Sequence, residues 1–224
     1  MKRLSRTVPA CLALTFFLTA CASESHRTVT THEVESAQTR YTGPRHPLVI
    51  GKFKNTSSYL TGVFASGTDQ LGSQAKTILK THLSQTNRFQ LADRDNMEEI
   101  GRESQMAGNE QALVGARYVV TGEVTEFGRK ETGDRELFGI AGRGKVQSAY
   151  AKVSVNVVDA KTSLVVFSTQ GAGEYSLSNR EILGTGSTAA YDSTLNGKVL
   201  DLAVVDAVNK LVRGLESGAW SAGS

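Results

Sequence analysis

The chain lacks almost everything that marks an enzyme, a disulfide-stapled fold or a helical membrane protein. A membrane-spanning helix needs about 18 or more consecutive apolar residues. The most apolar stretch, Ala10-Cys-Leu-Ala-Leu-Thr-Phe-Phe-Leu18, is far shorter and follows the basic residues Lys2, Arg3 and Arg6. That is the make-up of a removable secretory leader, and no later segment is apolar enough to cross a bilayer as a helix. There are two cysteines, Cys11 inside the leader and Cys21 just after it. Loss of the leader leaves one cysteine, so no disulfide can form within a chain even in an oxidising compartment. The net charge of +3 comes from the leader's three basic residues, and the remainder is neutral. A neutral chain offers no electrostatic reason to bind nucleic acid. No Ser/His/Asp, Cys/His or His/Glu grouping has the spacing of a nucleophile or a metal site. No catalytic residue, metal or cofactor is therefore expected, and the chain does not read as an enzyme.

The leader ends in Leu18-Thr19-Ala20-Cys21, which resembles the lipobox of bacterial lipoproteins. The resemblance implies cleavage before Cys21 and its lipidation. Ala22 in second place, rather than Asp, resembles outer-membrane sorting. Residues 22–46 are rich in Ser, Thr and Glu and poor in aliphatics, so they read as a flexible tether from the lipid. His26, His32 and His46 lie in or at the end of it without spaced partner ligands, and are expected to be solvated.

The organising stretch runs from residue 117 to 170. Val153, Val155 and Val157 alternate with Ser154 and Asn156, the pattern of a strand with one buried face. Together with 117–127 and 164–169 this reads as an antiparallel meander. Its first connection, about 128–146, is Gly- and charge-rich and too long for a simple hairpin. Before the meander, residues 48–53 and 89–92 are short strands flanking a helix over 69–86, a unit that suggests a parallel pair. Asp93 or Asp95 is expected to cap a polar helix through about 105. A short helix is expected over 109–114. After a second Gly-rich excursion, residues 195–213 form the strongest helix, with Leu195, Val199, Leu202, Val205, Val208 and Val212 on one face and Leu200, Val204 and Leu211 widening it, so it is expected to pack on the sheet. The fold class is α/β (α+β), a two-layer domain with a mixed sheet, helices packed on it and two long excursions. The expected divisions are a leader at 1–20, lipidated terminus and tether at 21–46, the α/β domain at 47–216 and a tail at 217–224.

Two glycine motifs need weighing. Gly139-Ile-Ala-Gly-Arg-Gly-Lys145-Val146 almost fits a phosphate loop, but Val146 stands where a hydroxyl would hold Mg²⁺ and a strand follows instead of a helix. Gly184-Thr-Gly-Ser-Thr-Ala189 lacks the strand–helix unit of a dinucleotide site. No nucleotide is expected.

Several features in order resemble one family. They are Cys21, the Val-Ile-Gly-Lys-Phe strand, Asn87-Arg-Phe-Gln-Leu-Ala-Asp-Arg94, Ala116-Arg-Tyr-Val-Val-Thr-Gly-Glu-Val124, Phe138-Gly-Ile140, the 153–159 strand with its Asp-Ala-Lys-Thr turn, and Tyr191-Asp192. The chain is similar to the curli production assembly/transport lipoproteins of the CsgG type over nearly all of 48–215. The resemblance implies a ring-shaped outer-membrane secretion channel facing the periplasm, whose protomers insert two hairpins each. Here the excursions 121–158 and 165–195 hold those places. Tyr59 and Phe64 fall in the region of the family's pore-constriction loop. The implied partners are the membrane, further copies of the chain, and an exported or cell-envelope protein. The alternative is a non-channel lipoprotein that binds a periplasmic partner such as a peptidoglycan synthase. Lipid-facing strands need about nine to eleven residues with every second one apolar. Gly171, Gly173, Tyr175 and Leu177 fit that pattern. Residues 124–136 do not, since Glu126 and Lys130 share one parity and Arg129 and Glu131 the other.

Overall fold

The computed structural model describes residues 31–59, 69–135, 143–181 and 194–220. Five strands form one mixed sheet: β1 (His46–Asn55), β2 (Phe89–Ala92), β3 (Tyr118–Arg135), β4 (Arg143–Asp159) and β5 (Val165–Glu181), in the order β2-β1-β3-β4-β5. β1 is parallel to β2 and β3, and β3, β4 and β5 form the antiparallel meander. Among the described residues three α-helices accompany it: α1 (Gln70–Gln85), α2 (Met97–Met106) and α3 (Leu195–Glu216).

The core lies between one face of the sheet and the pair α1 and α3. Alternation supplies the sheet side: Tyr118, Val120 and Val124 from β3 and Val153, Val155 and Val157 from β4 are all buried. Leu71, Ala75, Leu79 and Leu83 supply α1, as their helical spacing foretells. In α3 the buried stripe holds Leu195, Val199, Val208 and Val212 of the expected face and the widening Leu200, Val204 and Leu211, and adds Ala203 and Ala207. It centres on Leu200, Ala203, Val204, Ala207 and Leu211, while Leu202 and Val205 sit at its rim. The reason lies across the interface. A Cβ built on Gly171 would overlap the Ala203 carbonyl and the Ala207 nitrogen, and one on Gly173 would come within 2.7 Å of Leu202 Cβ and 2.8 Å of the Ala203 nitrogen. Glycine on β5 and alanine on α3 let the helix ride close to the strand, and that contact sets which α3 face is buried.

Caps set the helix ends. Asp69 accepts from the Gly72 amide at 2.8 Å and also from the Asn55 amide at 2.7 Å, tying the start of α1 to the end of β1. Asn87, with φ 58°, closes α1, and Gly218, with φ 74°, closes α3. The expected cap of α2 by Asp93 or Asp95 does not occur. Its N-cap is Asn96, without a side-chain bond, and Asp93 binds Lys80 and the Asn96 side chain instead. Those bonds, that of Lys80 foremost, lower the Asp93 pKa to about 2.

Four expectations change. No helix forms over 109–114: these residues are exposed coil, with nothing apolar to pack against. The long connection 128–146 is mostly strand, since β3 runs to Arg135 and β4 starts at Arg143. The tether ends earlier than residue 46. His32–Ser224 is one compact unit, in which Val34 and Ser36 are buried and Glu35–Gln38 is a 3₁₀ turn. At the other terminus the expected tail begins inside the core. Trp220 stacks on Phe89 and Phe167 and meets Tyr118 edge-on, with its Nε1 donating to Leu211 O.

Candidate functional site

The meander outgrows the rest of the sheet. β1 stops pairing with β3 at Asn55 and Val124, where Val124 O takes the Thr56 and Ser57 amides. From Glu126 to Arg135, β3 pairs with β4 alone, and β5 is an end strand throughout. Beyond the core, therefore, three strands stand together, and among the described residues no further strand is laid against either outer edge. Such edges are templates for strand addition. One part of the β5 edge is guarded. Asp206 Oδ2 accepts the Ala172 amide at 3.0 Å, and Lys210 Nζ donates to Gln170 O at 2.9 Å, the two side chains being joined at 2.8 Å. These bonds fix the phase of the strand: even-numbered residues turn their backbone groups outward, so the edge opens at Glu174 and Ser176.

Neither face of this distal sheet is ready for lipid. A bulge at Thr125 shifts the register, so that Phe127 follows Val124 onto the core face. Arg129 and Glu131 continue that face, alongside Gln147, a residue only 3% exposed. The other face carries Glu126 and Lys152, which form an ion pair, and Lys130 and Glu174. The alternation of Gly171, Gly173, Tyr175 and Leu177 is present, but this side is covered by α3: Tyr175 and Leu177 pack on the core, and Lys198 Nζ lies 5.2 Å from the Tyr175 ring centre. The spacing that suggested lipid contact belongs to helix packing.

Tyr59 is held rather than projecting. Its ring meets Phe127 at 4.6 Å, and its carbonyl accepts from Asn55 Nδ2 at 2.9 Å. Asn55 Oδ1 also accepts from the Ser57 amide and hydroxyl, closing an Asx turn. Phe64 and Cys21 lie outside the described residues, as do His26 and the 184–189 glycines. Lys145 and Val146 stand within β4, so no helix N-terminus follows the near phosphate loop. Among the described residues no group of three His, Cys, Asp or Glu side chains could hold a metal.

Sequence reasoning missed the strap. Residues 32–39 cross α3 and close on Arg88, which is 3% exposed. Arg88 donates to the Ser36, Thr39 and Thr86 carbonyls, to Thr39 Oγ1 and twice to Glu216 Oε1, and the Tyr41 ring lies over its guanidinium at 4.9 Å. The Glu35 amide donates to Asn209 Oδ1. No local signal marks Arg88, because its partners are far away in sequence.

His82, on the buried face of α1, is a link between helices, with Nε2 2.7 Å from Asp201 Oδ1 on α3 and Nδ1 3.0 Å from Gln85 Oε1. Asp201 Oδ2 also meets His32 Nδ1 at 3.3 Å. Burial pulls the His82 pKa down, but the Asp201 and Gln85 bonds and the Asp201 charge outweigh it, so the pKa is raised. A raised folded pKa stabilises fully below the ordinary value near 6.5 and less as pH climbs through the folded value. Wild type should therefore out-melt His82→Gln by about 1–2 kcal/mol in mild acid, and the margin should shrink toward pH 8. Melts across that range check the sign; a margin growing with pH would refute the link.

Comparison with known proteins places these features. The sequence pattern of "Curli production assembly/transport component CsgG" matches residues 30–224. The chain is 57% identical over 203 residues to "Putative lipoprotein NMB1126/NMB1164" of Neisseria meningitidis serogroup B, covering 91% of each. Among solved structures it is similar to the PelC dodecamer from Paraburkholderia phytofirmans, at 16% identity and TM-score 0.35, covering 74% of this chain and 86% of that one. It is also similar to the LpoB C-terminal domain from Escherichia coli, at 13% identity and TM-score 0.32, covering 57% and 81%.

Proposed function

The chain belongs to the CsgG family of curli production assembly/transport components, and from that premise we propose that it is a lipid-anchored outer-membrane protein facing the periplasm. It assembles into a ring and acts in the export or assembly of surface proteins. One observation carries this reading: the distal sheet offers two open edges, Glu126 to Arg135 on β3 and Glu174 onward on β5, on opposite sides of one three-stranded ribbon. Two different edges on one protomer join head to tail, and repeated head-to-tail joining closes a ring when the rotation between neighbours closes. Pairing also removes the hazard that an unguarded edge poses to a lone protomer. No enzyme activity, cofactor or nucleotide enters this role. Tyr59, fixed against Phe127, falls where the family resemblance puts the constriction loop.

The anchor is Cys21, on the evidence of Leu18-Thr-Ala-Cys21 behind a basic leader. Cys21→Ser should abolish incorporation of a fatty-acid analogue and release the protein from membranes; unchanged labelling would refute the anchor.

A second reading is favoured by the cover that α3 places over Tyr175 and Leu177. In it the chain serves as a non-channel lipoprotein that holds a cell-envelope partner such as a peptidoglycan synthase. Planar-bilayer recording separates the two. Purified lipidated protein that conducts ions in discrete steps supports the channel; an assembled protein that never conducts supports partner binding.

A further inference from the structure

α2 is an ordered helix with no buried residue. Ile100, Met106, Leu113 and Val114, on α2 and the coil after it, are 41–79% exposed. The coil is nonetheless fixed. Arg94 Nη2 donates to Val114 O at 2.6 Å, and Ser104 and Asn109 bond each other at the helix end. An ordered flap with apolar side chains left in water is the mark of a surface that meets a partner.

A second patch stands across the sheet. Leu164, Val165 and Val166, at the start of β5, are 37–65% exposed. The turn before them is held by Asp159, whose Oδ1 accepts the Lys161 and Thr162 amides and the Thr162 hydroxyl. The strands from which the two patches spring share a level. β2, which leads into α2, pairs only with 46–49 of β1; Leu48 pairs with Tyr118, Tyr118 with Asp159, and Val158 with Val165. They also lie toward opposite edges, since β2 and β5 end the sheet. Their charges are complementary. α2 carries Glu98, Glu99 and Glu103 against Arg102, while exposed Lys161 flanks the second patch, where Arg117 is already paired with Asp159 at 3.7 Å.

We propose that the α2 flap of one copy docks on the start of β5 of the next copy. This rests on the ring reading and extends it. Distal strand pairing joins neighbours at the hairpin end of the sheet, and the flap joins them at the other end. The occupant is a second copy because apolar surface, charge and level each have their counterpart on this same chain. A self-complementary patch would build only a two-fold dimer, whereas two different patches at opposite edges suit a closed ring.

Disulfide trapping in membranes that hold the lipidated full chain tests this. Ile100→Cys and Met106→Cys are each paired with Leu164→Cys or Val166→Cys, and melts confirm that each variant folds. Mild oxidation of at least one pair should give a ladder of dimers and larger multiples that reductant collapses. The parent chain and each single variant should stay monomeric on the gel. Dimers from a single flap cysteine would mean a two-fold contact and overturn the proposal. A cross-linked band of mass foreign to this chain would overturn it in favour of a different partner. Absence of any ladder, with native mass still that of an oligomer, would overturn the flap contact and leave the ring standing. Absence of a ladder with protomer mass would overturn both.

Discussion

Gly171→Ala should cost about 3 kcal/mol or more, lowering the melting temperature by roughly 10 °C. One methyl suffices because its place is already filled by backbone, the Ala203 carbonyl and the Ala207 nitrogen of α3. Backbone cannot rotate aside as a side chain can, so the whole helix would have to lift from β5. The lift would spread, since Asp206 and Lys210 on the same helix cap the β5 edge at Ala172 and Gln170. Gly197→Ala is the control. It sits within α3, and its new methyl would meet only the Gln74 side chain, at 3.2 Å. There alanine should gain about 0.5–1 kcal/mol from helix propensity. Thermal melts of both variants check the pair. A Gly171→Ala protein that melts with wild type would mean that α3 does not ride on β5 as described.

Arg88→Ala should have the next largest effect, about 2–4 kcal/mol. Its guanidinium serves the Ser36, Thr39 and Thr86 carbonyls; Ser36 O would keep the Thr39 amide and hydroxyl, while the buried Thr86 carbonyl would lose its charged donor. The ion pair with Glu216 adds less, because Glu216 is nearly half exposed. The loss is directional. The strap over 32–39 depends on Arg88 more than the sheet does, so limited proteolysis should cut near residues 32–45 of the variant well before the core. Arg88→Lys should rescue little, since a point charge cannot reach carbonyls and carboxylate in one plane. Equal resistance of strap and core in Arg88→Ala would contradict this account.

The sheet and its helices were legible because each has a period to read. Val153, Val155 and Val157 alternate, and Leu71, Ala75, Leu79 and Leu83 fall on one helix face, so element types and the two-layer build followed from local pattern. What escaped depends on partners distant in sequence. Tyr175 and Leu177 have the right alternation, but alternation says that one face is apolar, not whether lipid or a helix covers it. The Ser- and Thr-rich run around Val34 looks solvated until Arg88 and Asn209 supply its hydrogen bonds. His82 resembles any helix histidine until Asp201, 119 residues later, stands at 2.7 Å. The expected helix at 109–114 failed for a related reason: propensity without a packing surface does not hold a short helix in water.

The central claim is that open strand edges join copies of this chain into a ring, and the mass of the lipidated protein in mild detergent tests it most directly. Wild type and Ser176→Pro should be weighed side by side. Residue 176 shares the phase of Ala172, so its amide faces the outer edge and proline there removes a donor to a neighbour without taking one from β4. The account predicts a wild-type particle many times heavier than one mature lipidated chain, and a Ser176→Pro protein that melts near wild type but weighs as a protomer. Wild type that stays a lone protomer across several mild detergents would contradict it.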